Sequence, residues 1–220
     1  MPPAPPAAST TSSPATSGAT SRAPSSATPK AARTFVAPAR VPWSVRRELD
    51  RAEAMLRQQS ARLHGDVGVQ VLRESEEVVL RIPARLLFSP DSESLQPGLR
   101  AARLLSMPTV LLRKRHHLMT RIEVYSDNIG GVQLNQQLST RRAAVLASAL
   151  RAAGISAHRV QASGRGAAQA LAANDTAADR ILNRRVEFVF ARLGSQAALE
   201  PPPDASAGLR PAPAAASAGG

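Results

Sequence analysis

Proline decides where this chain can fold. Of eighteen prolines, nine lie at or before Pro42 and five between Pro201 and Pro213, leaving four from Trp43 to Glu200. Each proline removes a backbone donor and fixes φ. Segments dense in it and short of large apolar side chains cannot offset the entropy of ordering. Residues 1–42 are largely Pro, Ala, Ser and Thr, with Ser9-Thr10-Thr11-Ser12-Ser13 as one uninterrupted polar run, and 195–220 repeat the pattern on a smaller scale. Both are expected to be disordered, the first a partly extended linker and the second a tail. Large apolar residues concentrate between Trp43 and Leu193. About 150 residues of that kind suffice for one core without metal or disulfide staples.

Within that stretch the apolar spacing changes period. Val45, Leu49, Ala52, Leu56 and Leu63 share one face, which predicts an amphipathic helix over 43–66 with Ser44 as its cap and Gly65 as its stop. Val67, Val69 and Val71, a turn at Glu74-Ser75-Glu76, then Val78, Leu80 and Ile82 alternate as a half-buried β-hairpin. A helical pattern follows through Leu99, Leu104 and Leu105 toward His117, interrupted near Pro108. Ile122, Val124 and Ser126 predict a third strand ending at Asp127, and Leu134 to Ala153 a strong helix stopped by Gly154. Val160 to Ser163 reads as a short strand closed by Gly164-Arg165-Gly166, Asn174 to Leu182 as a loop or short helix, and Val186 to Phe190 as the last strand. Strands alternating with helices imply right-handed crossovers, hence an α+β two-layer sandwich with helices on one face of a mixed β-sheet. The first helix and the hairpin precede it.

Charge is the feature easiest to over-read. The net charge is +12, and 26 of the 28 basic residues are arginine, spread evenly and often beside acids, as in Arg46-Arg47-Glu48. A basic balance points to polyanions such as nucleic acid or anionic lipid. Aromatics for base stacking are scarce, with one Trp, one Tyr and four Phe, which makes nucleic acid an unfavoured partner. The absence of cysteine excludes disulfides, thiolate zinc, a cysteine nucleophile and a lipobox-type anchor in this stretch of sequence. His64, His116, His117 and His158 have no metal-ligand spacing, and there is neither a GxSxG elbow nor a P-loop. Gly164-Arg165-Gly166 is too short for a dinucleotide fingerprint. Neither catalysis nor a cofactor is expected. The longest candidate for a membrane span, Leu104 to Leu112, contains Pro108 and falls far below the roughly 20 residues needed.

One constellation stands out. Tyr125-Ser126-Asp127-Asn128-Ile129-Gly130-Gly131 leads into Asn135-Gln136-Gln137-Leu138-Ser139-Thr140-Arg141-Arg142-Ala143. An acid at the C-terminal end of a strand lies where sheets of this type commonly bind ligands. Asn135 and Arg142 are two helical turns apart and share a face, and the opening turn of that helix offers free backbone N–H groups. Asn183-Arg184-Arg185-Val186-Glu187 begins the last strand with two more arginines.

These runs, with Gly154-Ile155, Gly164-Arg165-Gly166 and Asn174-Asp175-Thr176, resemble the C-terminal domain of OmpA-like proteins over roughly Glu77 to Leu193. Leu87-Phe88 with Ser92-Glu93-Ser94-Leu95 is similar to that family's first loop, and five blocks occur in the family's order. The resemblance implies a domain over 67–194 that binds peptidoglycan non-covalently through diaminopimelate of the stem peptide. That side chain ends in an ammonium and a carboxylate on one carbon. An acid and an arginine fork a few ångströms apart suit it. By position Asp127 takes the ammonium and Arg142 the carboxylate. Ser126, Asn128 and Asn135 are secondary contacts, and Arg184 or Arg185 lines the same cleft, strand alternation sending one of the two away. The alternative is an internal Asp127–Arg142 salt bridge.

The sequence departs from the family pattern in three places. Val124-Tyr125-Ser126-Asp127 stands where members often have Gly-His-Thr-Asp or Gly-Tyr-Thr-Asp, Leu134 replaces an aromatic, and Ala170 stands where a proline often follows Gly-x-Gly. Such changes are expected to narrow the pocket or weaken binding while leaving the charged pair. The resemblance further implies a periplasmic place, bound to wall or outer membrane, with envelope proteins as possible partners. Residues 1–42 hold no apolar run of the export-signal kind, so the reading frame is expected to extend upstream or to start elsewhere. Two other roles compete: a basic module for nucleic acid or another polyanion, and a degenerate family member serving assembly of a stator or secretion apparatus.

Overall fold

The computed structural model describes residues 42–63 and 68–195. The expected linker and tail therefore lie outside the described residues except at Pro42 and Ser195, as do Gly65 and Val67 of the predicted helix stop and first strand.

Helix α1 (Trp43–Ala61) buries Val45, Leu49, Ala52 and Leu56, the face its spacing predicts. Ser44 does not cap it. It lies inside the helix, whose N-cap is Pro42, and the Pro42 carbonyl accepts from Val45 and Arg46 at 3.0 and 3.1 Å. The hairpin β1 (Gln70–Glu74) and β2 (Glu77–Pro83) turns at Ser75-Glu76. Helix α2 (Leu99–Lys114) continues through Pro108, which does not interrupt it. A proline inside a helix costs about 3 kcal/mol. Here Leu104, Met107, Leu111 and Leu112 are buried around it, and each contributes about 1.5–3 kcal/mol, so packing wins.

Strand β3 (Leu118–Tyr125) is followed by α3 (Val132–Ala152), β4 (Val160–Gly166), the short α4 (Ala177–Asn183) and β5 (Arg185–Arg192). Gly164-Arg165-Gly166 does not close β4 but forms its end. Thr176 and Asp179 cap α4 reciprocally, side chain to backbone in both directions. The sheet order is β1-β2-β5-β3-β4, with β3 and β4 parallel across α3 and every other pair antiparallel. α1, α2 and α3 share one core with Val78, Leu80, Ile82, Ile122, Val124, Val186, Phe188 and Phe190, so the helices cover one face. Among the described residues no helix is long and apolar enough to cross a membrane.

The other face carries the alternate residues, many of them charged. Glu123 accepts from Arg121 and Arg165, both at 2.9 Å, and from the Tyr125 hydroxyl at 2.8 Å. Glu187 accepts from Arg81 at 2.8 Å and Arg185 at 2.7 Å. Tyr125 is held well above the usual phenol pKa by burial and by Glu123, and Arg185 stacks 3.6 Å from its ring centre.

Candidate ligand-binding site

Beyond β3 the chain stays paired for one residue, Ser126 N–H donating to Gly166 O at 2.7 Å, and then turns away. Asp127 is next, 5% exposed. Its Oδ1 accepts from Ile129 N–H at 3.2 Å, a local turn of the kind aspartate favours. Its Oδ2 pairs with Arg184 Nη1. Gly130 and Gly131 follow with φ of 91° and 88°, the left-handed region glycine tolerates, and swing the chain into α3. Asn135 braces this loop from the helix, its Nδ2 donating to the carbonyls of Asp127 at 3.1 Å and Ile129 at 2.7 Å.

Two turns along the same face lies Arg142, 8% exposed. It does not bond Asp127. Its Nε donates to Ser92 O at 2.7 Å and its Nη2 to Ser89 O at 3.2 Å, with Phe88 beneath the guanidinium at 5.0 Å. Burial lowers its pKa below the ordinary arginine value, while nearby Asp91 and Glu93 act the other way. It remains a cation at neutral pH. No carboxylate pairs with it among the described residues, and Nη1 has no protein hydrogen-bond partner there.

A cleft of about 340 Å³ opens between these groups, with Arg142, Arg184, Phe88, Asp91 and Gln96 among its walls. Asp127 borders it through Arg184, whose side chain is 44% exposed. The Ser126 hydroxyl is buried with no hydrogen-bond partner, and Asn128 is exposed. Thus Arg142 and Arg184 line the cleft and Asp127 pairs with Arg184 at its border, whereas Asn135 acts as a brace for the loop. Arg185 is not in the cleft. Alternation along β5 sends it to the opposite face, where it is 3% exposed beside Tyr125 and Glu187. Val124 and Tyr125 do not narrow the cleft either, since one packs in the helix-side core and the other stacks under Arg185.

Sequence reasoning passed over Phe88, Asp91 and Gln96 as walls. Phe88 and Asp91 lie in the Leu87-to-Leu95 run read as a loop, and Gln96 directly follows it. It also passed over Asn183, fully buried where α4 meets β5. Its Oδ1 accepts from Leu171 and Ala172 N–H at 2.7 and 3.0 Å, and its Nδ2 donates to Ala172 O and Asn174 Oδ1 at 2.9 and 2.8 Å. That set fixes the start of β5 and hence Arg184. Asn183→Ala strands these groups in a buried site and is expected to cost about 3 kcal/mol of stability, read from chemical denaturation.

The OmpA family model matches residues 87–184. Over 145 residues the chain is 34% identical to the probable lipoprotein YiaD of Escherichia coli (strain K12), covering 66% of this chain and 64% of that protein, a little under two thirds of its length. A MotB-like protein from Desulfovibrio vulgaris superposes with a TM-score of 0.58 at 25% identity, covering 70% of this chain and 98% of its own. The cell wall anchor of the T6SS from Pseudomonas aeruginosa does so with 0.56 at 28% identity, covering 66% and 99%. Asp127, Arg142 and Arg184 all fall inside the segment 87–184 that matches the OmpA family model.

Proposed function

We propose that this chain is a non-catalytic wall-binding module of the cell envelope, holding peptidoglycan non-covalently through the diaminopimelate of its stem peptide. The observation that carries this reading is Arg142, a buried guanidinium at a cleft with no carboxylate of its own. A ligand carboxylate accepts from its free edge, and the low dielectric around the buried cation strengthens that bond. The ligand ammonium takes the Asp127 carboxylate in place of Arg184, whose long exposed side chain is free to swing out. Ser126 Oγ and Asn128 sit beside this exchange as secondary donors or acceptors. That the Pseudomonas structure is a cell wall anchor supports the same reading, as does the lipoprotein name of the Escherichia coli relative. A periplasmic location and envelope protein partners go with it.

The test is co-sedimentation of the full chain with purified murein in the presence of free diaminopimelate. Displacement by diaminopimelate at constant ionic strength is the expected result. Sedimentation that ignores diaminopimelate but collapses with salt would instead mark a general polyanion binder.

A further inference from the structure

Part of the domain's surplus charge is concentrated at one end of the sheet. Arginines of the open sheet face have carboxylate partners, Arg81, Arg121, Arg165 and Arg185 among them, as do Arg57 of α1 and Arg184 of the cleft. Arg113, Lys114, Arg115, Arg151, Arg159 and Arg192 have none among the described residues. The fold gathers these at one end of the sheet. Leu118 N–H bonds Arg115 O at 3.1 Å, Leu193 N–H bonds His117 O at 2.7 Å, and Leu118 pairs with Arg192 across β3 and β5. Arg159, itself buried, ties the end together by donating to the carbonyls of Leu112, Arg115 and Leu118 at 2.9, 2.7 and 2.8 Å. Arg151 reaches the Val160 carbonyl at 3.5 Å.

Arg113, Lys114, Arg151 and Arg192 are exposed, as are His116, His117 and His158. No Asp or Glu occurs from 94 to 122, from 128 to 174 or from 188 to 199, the segments that supply this end. The acids at that end of the sheet are at the β1–β2 turn, Glu74, Glu76 and Glu77, toward the opposite edge from β4. The eight residues of β3 put about 25 Å between the basic end and the Asp127 cleft. Helix α1 runs back along β1, Asp50 lying 3.6 Å from Arg73, so its start points toward the basic end. That start carries Trp43, 71% exposed with Arg47 at 5.4 Å over its ring. An exposed tryptophan beside cations suits a membrane interface.

We infer that this end of the domain docks on an anionic lipid surface, the phosphate headgroups of a membrane, while the cleft at the other end stays open. Nucleic acid fits less well, since Tyr125, Phe88, Phe188 and Phe190 are buried and offer no stacking platform. The inference does not depend on the wall-binding reading.

The experiment is flotation of the full chain with phosphatidylethanolamine/phosphatidylglycerol vesicles and with phosphatidylcholine vesicles. Binding is expected only to the first, weakening with salt. Each basic side chain near such a surface contributes roughly a fivefold factor, so Arg113→Glu/Lys114→Glu/Arg151→Glu is expected to lose about a hundredfold or more. Murein sedimentation by that variant stays unchanged, and Asp127→Asn leaves flotation unchanged, which separates failure of either reading. Should charge reversal unfold the domain by circular dichroism, Arg113→Gln/Lys114→Gln gives the same comparison with about a twentyfold loss. Equal flotation of folded variant and parent, equal binding to phosphatidylcholine, or tighter binding to duplex DNA at the same salt overturns the inference.

Discussion

Asp127→Asn is expected to weaken murein binding at least thirtyfold, about 2–5 kcal/mol, the usual consequence of removing one side of a buried charge contact. The substitution is close to isosteric, and its amide oxygen still accepts from Ile129 N–H, so the loop keeps its turn. What disappears is the negative charge at Oδ2, now held by Arg184. Because that arginine is 44% exposed, losing the internal pair costs about 1 kcal/mol of stability or less. Arg142→Lys tests the other half. Lysine keeps the charge but cannot serve the Ser89 and Ser92 carbonyls and a ligand carboxylate as one planar fork. It is expected to bind murein as poorly as Asp127→Asn does. Unimpaired sedimentation of both folded variants would remove the cleft as the binding site.

The largest effect on folding is expected at Gly164. A Cβ there would lie 2.2 Å from Thr140 N and 2.6 Å from the Ser139 carbonyl carbon and Oγ. Two of those atoms are helix backbone and have no rotamer to change. Gly164→Ala must lift α3 from β4, stretching Gln136 Nε2 to Gly164 O at 2.8 Å and Gly166 N–H to Ser139 Oγ at 3.0 Å. Overpacking of this kind costs about 3 kcal/mol, or roughly 10 °C in melting temperature. An unchanged melting curve would mean that the helix sits further from the strand than described. Since α3 carries both Asn135 and Arg142, murein binding should fall with it.

Particular elements explain what the sequence made legible. The buried face of α1 followed from spacing alone, because a helix with one apolar stripe has one way to bury it. The central strands followed from alternation, and the Asp127-to-Arg142 segment from the resemblance. Gly164 was misread as punctuation because glycine in a turn and glycine under a helix look alike in one dimension. Pro108 was misread as a break because local cost is visible in sequence and the packing that outweighs it is not. The Glu123 and Glu187 networks depend on strand register and order, which no local pattern encodes. In the cleft, Arg142 was expected to wait for a ligand or bond Asp127. Neither expectation included the Ser89 and Ser92 carbonyls, fifty residues distant in sequence, that hold it in place.

The placement of the cleft relative to the strand ends has a mechanical consequence. The cleft lies beyond Tyr125 and at the start of β5, while β5 leaves the sheet at Arg192 and α1 begins toward that same far end. If the cleft is gripped by a rigid mesh and the chain is pulled from either of those exits, tension runs along β3 and β5. Their interstrand hydrogen bonds stand perpendicular to that direction. They are therefore sheared together rather than unzipped one after another, and rupture requires many to fail at once.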